Sequence, residues 1–301
     1  MTSLIIDSDS LVYKACCACE HKMYDILPLS YKGSITDHTA YGNYIIDSFR
    51  YVKEYKSWLV EKGKTVDDFI RAERLEREPL SNALNVINHL MHTIIDAIQP
   101  EQAIVYLTGK DNFRDRLAAI KEYKVDRKDK PKPFYYKEAR EFIQRNWHGV
   151  VVDNCEADDA CSILQHSCLQ EGIDSVIATI DKDLQQVPGW NYNFDKHILK
   201  YIPEEEADRF FYMQLLAGDR TDCIPGIPGV AEKTALKLLE GATSKEEMYL
   251  IAVEQYDAAY GTKNEKVSKK VSGKILIEMA RLVYMLKNKD EMWKPPIKNT
   301  L

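Results

Sequence analysis

No stretch of the chain approaches the ~20 apolar residues that a membrane-spanning helix needs, and no secretory signal precedes Asp7. Cysteine is scarce: seven residues, an odd number and scattered, which excludes a disulfide framework and points to free thiols in a reducing cytoplasm. The tightest group, Cys16, Cys17, Cys19 and His21, has no second Cys/His pair at zinc-site spacing. Packing of the first helix is the better account of it. Positive charge is not in excess either. At a net charge of −6, the chain is no general basic coat for nucleic acid. Internal repeats and low-complexity segments are absent. What is present is core material: 45% hydrophobic content over 301 residues, enough for one large domain or two modest ones.

Apolar runs and helical spacing alternate. Residues 3–9, 103–108, 149–153 and 175–180 read as strands, the first buried on both faces. Residues 10–20, 134–147 and 157–170 read as helices, and 190–195 with 197–202 as a hairpin at the sheet margin. Residues 21–38 read as a loop. From 41 to about 99 the spacing is helical, broken at Gly63 and Pro79, and from 203 onward only helices are expected. Strands alternating with helices give an α/β fold with a mainly parallel central sheet flanked by helices.

Acidic residues follow the apolar runs. Asp7 and Asp9 close Leu4-Ile5-Ile6, and Glu156, Asp158 and Asp159 follow Val150-Val151-Val152. Asp181 and Asp183 follow the run ending at Ile180, and Asp219 and Asp222 follow Leu215-Leu216-Ala217. Each of the last three groups alone could be a helix N-cap. Three capping groups do not need two or three carboxylates each, and anions at strand ends crowd one sheet edge unless cations hold them. Oxygen-only ligands suit Mg²⁺ or Mn²⁺, and two such ions can clamp a phosphodiester, so the pattern predicts a metal-dependent nuclease.

Two further signals concern nucleic acid. Gly226 and Gly229, three residues apart, permit a tight turn between helices and a close backbone approach to phosphate, with Lys233 at the start of the next helix. An ordinary helix–turn–helix corner is the bland alternative. Between Lys110 and Lys132 lie Arg114, Arg116, Lys121, Lys124, Arg127, Lys128 and Lys130, a local basic excess suited to backbone phosphates. Tyr123 and Phe113 there are either stacking platforms for unpaired bases or buried anchors. Lys263, Lys266, Lys269, Lys270 and Lys274 form a second basic stretch, read as tracking a far duplex arm or as a surface loop.

Together, Leu4-Ile-Ile-Asp-Ser-Asp9, Phe113-Arg114, Glu122-Tyr-Lys-Val-Asp-Arg127, Glu156-Ala-Asp-Asp159, Asp181-Lys-Asp-Leu184, Gly218-Asp-Arg-Thr-Asp222 and residues 225–235 resemble the flap endonuclease / 5′→3′ exonuclease family. That family includes the 5′-nuclease domain of bacterial DNA polymerase I and phage enzymes of T5 and T7 type. The ending, Met279-Ala-Arg-Leu with Trp293-Lys-Pro295, is most similar to the T7 type. The resemblance implies a PIN-like nuclease core over 1–203, with a helical insertion at about 20–100 and a helical arch or clamp at about 109–148. It implies a helical DNA-binding lobe over 204–301 with a helix–hairpin–helix-like grip. Asp7, Glu156 and Asp158 would serve one Mg²⁺, and Asp181, Asp183, Asp219 and Asp222 a second, with Asp159 beside them and Mn²⁺ able to substitute. Lys124 and Arg127 would act at the scissile phosphate. Lys110, Arg114, Tyr123, Gly226, Gly229 and Lys233 would bind DNA, with K⁺ at the hairpin turn. The implied partner is DNA with a 5′ end or 5′ flap, RNA–DNA hybrid left open. The implied enzyme is a monomer in the cytoplasm, that of a host cell if a phage encodes it for replication or recombination.

Two departures stand out. Where the family has a metal-ligating Asp after the second strand, this chain has Leu107-Thr-Gly109, with Asp111 the nearest acid. The third Gly of the hairpin turn is Ala231. Two rivals stay open: a PIN-like ribonuclease, a type that also clusters acids on a parallel sheet, and, on the missing acid near Gly109, a DNA-binding relative without chemistry.

Overall fold

The computed structural model describes residues 2–128, 130–261 and 265–297, with the backbone alone for 265–270. In chain order the elements are β1 (Thr2–Asp7), α1 (Asp9–Ala18), β2 (Glu20–Pro28), α2 (His38–Tyr41), β3 (Asp47–Phe49), α3 (Val52–Glu61) and β4 (Phe69–Arg77). Then come α4 (Leu80–Ile98), β5 (Gln102–Asn112), α5 (Phe113–Leu117), α6 (Val125–Lys128), α7 (Tyr136–Asn146), β6 (Val150–Asn154) and α8 (Ala157–Glu171). The chain continues through β7 (Asp174–Ala178), β8 (Gly189–Asn193), β9 (Ile198–Ile202), α9 (Glu204–Ala217), α10 (Glu232–Leu238), α11 (Lys245–Tyr260) and α12 (Glu265–Val283). Two units are distinguished: residues 1–11, 89–132 and 140–301, and residues 12–88 with 133–139. Among the described residues no helix is long and apolar enough to cross a membrane.

The first unit is built on a six-stranded sheet in the order β6-β5-β1-β7-β8-β9. All neighbours are parallel except β8 and β9, which pair antiparallel as the expected marginal hairpin. Leu4, Ile5 and Ile6 of the central strand are fully buried, as a strand covered on both faces requires. The register sets Ile6 opposite both Val105 and Ala178. The chain therefore leaves β1 and β7 at one sheet edge, and the acids that follow these strands are delivered to that edge. Glycine at 172 closes α8 in the left-handed conformation. Helices α9 to α12 share a separate apolar core that includes Tyr212, Leu216, Tyr249 and Trp293.

The second unit corrects the expectation of a helical insertion and of a loop at 21–38. It holds a three-stranded antiparallel sheet, β3-β2-β4, together with the helix α3. Strand β4 reads Phe-Ile-Arg-Ala-Glu-Arg-Leu-Glu-Arg, rich in helix formers. Nine paired positions with β2 override that preference. Asp25 of β2 is fully buried. It is compensated by Arg74 (2.8 Å), the Ser48 hydroxyl (2.6 Å) and the Tyr41 hydroxyl (3.1 Å).

Candidate active site

Asp7, the last residue of β1, is buried. It accepts from the Thr179 hydroxyl (3.0 Å) and the Asp9 amide (3.2 Å). Burial first, then the charges of Asp9 and Asp181, push its pKa up to about 7. Past the end of β7 the chain turns through a ladder of short bonds. The Asp181 amide donates to the Thr179 hydroxyl (3.0 Å) and the Asp183 amide to the Asp181 carboxylate (2.9 Å). Asp183 also accepts from the Gln214 amide (2.6 Å). Burial and the charges of Asp181, Asp219 and Asp222 raise its pKa to about 7.

Glu156 and Asp158 lie at the start of α8. Burial acts to raise the pKa of Glu156, but Lys124 and Arg114 outweigh it and hold it at about 2. Asp158 stands well above the usual range because it is buried beside Glu156 and Asp159. Asp219 and Asp222 share the turn after α9, where Asp219 accepts the amides of Thr221 (2.7 Å) and Asp222 (3.2 Å). Lys182 approaches Asp219 at 3.1 Å and keeps its pKa low against the effect of burial.

The groups meet through Tyr123, whose hydroxyl lies 2.8 Å from Glu156 and 2.8 Å from Asp222. Lys124 hydrogen-bonds Glu156 and stands 3.4 Å from Asp222, and Arg127 stands 3.4 Å from Asp222. Tyr123, Asp183, Asp219 and Asp222 line one small cavity. Acids from three separate stretches therefore do converge.

The donor set fits divalent cations. It is all oxygen, as Mg²⁺ and Mn²⁺ prefer. Asp7, Asp158 and Asp183 are each pushed toward the protonated form, by burial first and then by neighbouring acids. One Tyr123 proton cannot satisfy two carboxylates, so the cluster has anionic capacity to spare. Among the described residues, no three His, Cys, Asp or Glu side chains already close around one point. Lys124, Arg127 and Lys182 balance the acids instead.

Residues 43–208 match the family described as "5'-3' exonuclease, N-terminal resolvase-like domain". The chain belongs to this family. The chain is 29% identical over 189 residues to DNA polymerase I of Chloroflexus aurantiacus, covering 56% of this chain and 19% of the polymerase. It is also 29% identical over 176 residues to DNA polymerase I of Bacillus caldotenax, covering 53% and 20%. The chain thus spans about a fifth of these relatives' length. In fold it is similar to a bacteriophage T5 5′-exonuclease structure with divalent zinc bound (TM-score 0.57, 13% identity, 94% of this chain and 89% of that one). It is likewise similar to the T5 D15 flap endonuclease in a pseudo-enzyme-product complex with DNA and metal ions (TM-score 0.55, 12% identity, 95% and 91%).

Several of the expected residues take other places. Arg114, expected on DNA, is fully buried and gives both terminal nitrogens to Asp159 (2.5 and 2.8 Å). That pairing also removes Asp159 from the free acids, since its oxygens already accept from Arg114, the Glu156 amide (3.1 Å) and the Leu286 amide (3.3 Å). Tyr123 is buried and bonded to carboxylates, so its ring is no platform for bases. Lys110, Lys233 and Gly229 are exposed. Gly226 has a φ of +59°, and a Cβ there would lie 2.3 Å from the Gly218 nitrogen. Lys263, Lys266, Lys269 and Lys270 lie outside the described side chains.

Asp111 is exposed with a φ of +59°, and Leu107 is buried. A Cβ on Gly109 would come within 2.2 Å of Asp153 Oδ1, which accepts the Lys110 amide (2.7 Å). The sequence reading also missed Arg140. It pairs with Asp9 (2.6 Å) and donates to the Thr108 carbonyl, while Asp9 accepts the Thr108 amide (3.0 Å). Arg140 sits in a helix of mixed charge, where nothing in the sequence sets it apart. Thr179 and Gln214 carried no signal either, being polar residues flanking apolar runs.

Proposed function

We propose that this chain is a divalent-metal-dependent 5′-nuclease that hydrolyses DNA phosphodiesters near 5′ ends, as an exonuclease, a flap endonuclease or both. The carrying observation is the Tyr123 hydroxyl set between Glu156 and Asp222, with Asp183 and Asp219 on the same cavity. Family membership and the fold shared with the T5 enzymes support the reading.

Asp7, Glu156 and Asp158 would hold one Mg²⁺ or Mn²⁺, and Asp181, Asp183, Asp219 and Asp222 would hold or neighbour another. Bound there, divalent cations supply charge against the phosphodiester and acidify water. The chain's own residues do the rest. Lys124 and Arg127 carry positive charge to the acidic rim and can turn from Asp222 to the non-bridging oxygens of a phosphate. Arg140 fixes Asp9 and the end of β5, which keeps Asp7 in place. Residues 109–148 would arch over the substrate. The turn from Gly226 to Lys233, with Gly229 at a φ of +80°, would grip the duplex arm from a lobe beginning near 204. K⁺ at this turn would be held by backbone carbonyls, of which that of Gly226 also accepts the Tyr260 hydroxyl (2.7 Å).

Product mapping on end-labelled flap, nicked, blunt and closed-circular DNA in Mg²⁺ tests the proposal. The expected products carry a 5′-phosphate and a 3′-hydroxyl, and closed circles survive. Cleavage of closed circles, or of single-stranded RNA in preference to flapped DNA, would overturn it.

A further inference from the structure

The site residues named above belong to the first unit; the small sheet of the second displays a surface of its own. Residues directly opposite in an antiparallel ladder share a face. The register therefore puts Glu20 with Arg77, Lys22 with Leu75, Tyr24 with Glu73 and Phe49, and Ile26 with Arg71, on one face. The Ile26 end of that face is covered, because Tyr55, Trp58 and Leu59 of α3 pack there with Ile26, Phe49 and Phe69. The other end is open. Leu75 is 48% exposed, and Phe134, returning to the same unit, is 56% exposed.

Each ring at the open end carries a cation. Lys22 Nζ lies 5.6 Å and Arg71 Cζ 5.2 Å from the centre of Tyr24. Arg77 Cζ lies 4.0 Å from the centre of Phe134. The Phe134 ring is held in this position: its amide donates to Glu20 (2.5 Å), and the ring meets Tyr135 edge-on at 5.1 Å. Glu73 bridges Lys22 (2.5 Å) and Arg71 (3.4 Å). Lys22, Arg71 and Arg77 thus share this face with Glu20, Glu73 and, opposite Ile26, Asp47; among the described residues no carboxylate forms an ion pair with Arg77, which stands at the open end.

The exposed Phe134 ring and the exposed guanidinium planes of Arg71 and Arg77, beside the half-buried Tyr24, suit unpaired nucleobases, whose π-faces stack while their phosphates meet the charges. A duplex keeps its bases inside and cannot use such a face. We infer that the open face around Tyr24, Arg71, Arg77 and Phe134 is a binding site for single-stranded nucleic acid, taken here as the unpaired 5′ strand of a substrate. This deepens the nuclease reading by giving the inserted sheet a ligand.

The test uses the full chain in EDTA, so that nothing is cleaved, with fluorescence anisotropy on oligo-dT, on duplex bearing a 5′ dT overhang and on blunt duplex. Phe134→Ala and Arg71→Ala alter exposed side chains, and thermal melting checks that both variants fold. The expected result is about a tenfold loss of affinity for oligo-dT and for the overhang in Phe134→Ala, with blunt duplex unaffected. The loss should persist in high salt, because stacking is not screened as charge is. Equal losses on overhang and blunt duplex, or no loss on either, would sink the site. So would competition by an acidic peptide in preference to oligo-dT, which would mark the face as a protein-docking surface. The outcome is separable from the nuclease reading: wild-type protein that binds oligo-dT through Phe134 but cleaves nothing in Mg²⁺ keeps this site and loses the enzyme.

Discussion

Arg114 and Asp159 form a two-pronged ion pair with essentially no solvent on either side chain. The remaining Arg114 donors reach the carbonyls of Leu282 (2.9 Å) and Tyr284 (2.8 Å). The pair therefore ties α5, the start of α8 and the end of α12 at one point. Breaking a buried pair on one side strands the other charge, at a cost of about 3–5 kcal/mol. Arg114→Ala should lower the urea unfolding free energy by roughly that amount. Replacing both partners with apolar residues should recover part of the loss. A single variant as stable as the parent would show that the pair is not closed in solution.

Asp158→Asn and Asp181→Asn each remove one anionic oxygen from the acidic edge without changing shape. Both should abolish cleavage in Mg²⁺ while leaving DNA affinity in Ca²⁺ or EDTA within about twofold, as expected for groups that act on charge at the reacting phosphate. Ordinary turnover in either variant would remove its assigned role.

The metal-free protein should lose stability as pH rises. Asp7 and Asp183 ionise near pH 3.8 when unfolded and near 7 when folded, because burial and neighbouring acids disfavour their charge. The folded chain then binds more protons than the unfolded one between these values. Stability from these groups is full below pH 3.8 and fades through 7. Melting curves in EDTA from pH 5 to 8 should fall with pH, and Mg²⁺ should raise the melting temperature most at the alkaline end. A flat profile in EDTA would show that burial and neighbouring acids do not hold these two carboxyls protonated.

The turn after Asp222 gives a separate outcome. Lys233→Ala should weaken duplex binding several-fold and lower its salt slope by about one ion, since one phosphate contact is lost. Gly229→Val should weaken binding more, because a β-branched residue resists a φ of +80°. Unchanged, salt-dependent affinity in both would place the duplex elsewhere.

The acidic edge was legible because strand ends and carboxylates are both local signals, and a parallel sheet delivers strand ends to one side. Asp7, Glu156 and Asp183 needed only that logic, whereas Asp222 follows the helix α9 and joins them through Tyr123. The antiparallel sheet of the second unit was not legible, since β4 carries Arg, Glu, Leu and Ala at helix-compatible spacing and becomes a strand only through pairing with β2. Arg114 misled for a related reason. It lies among surface cations in sequence, and only its partner 45 residues further on shows that it is interior. Arg140 was silent because its role depends on Asp9, 131 residues away.

The crowding between positions 109 and 153 bears on how this sequence could be altered. With Asp153 Oδ1 filling the space beside Gly109, a carboxylate cannot be grafted onto 109 by a single change. The Val152 carbonyl, 2.6 Å from the same position, is backbone and is not relieved by shortening residue 153, so a directed-evolution library should return glycine at 109 whether or not 153 is varied with it. An acid at the end of β5 would have to be placed at a neighbouring position instead.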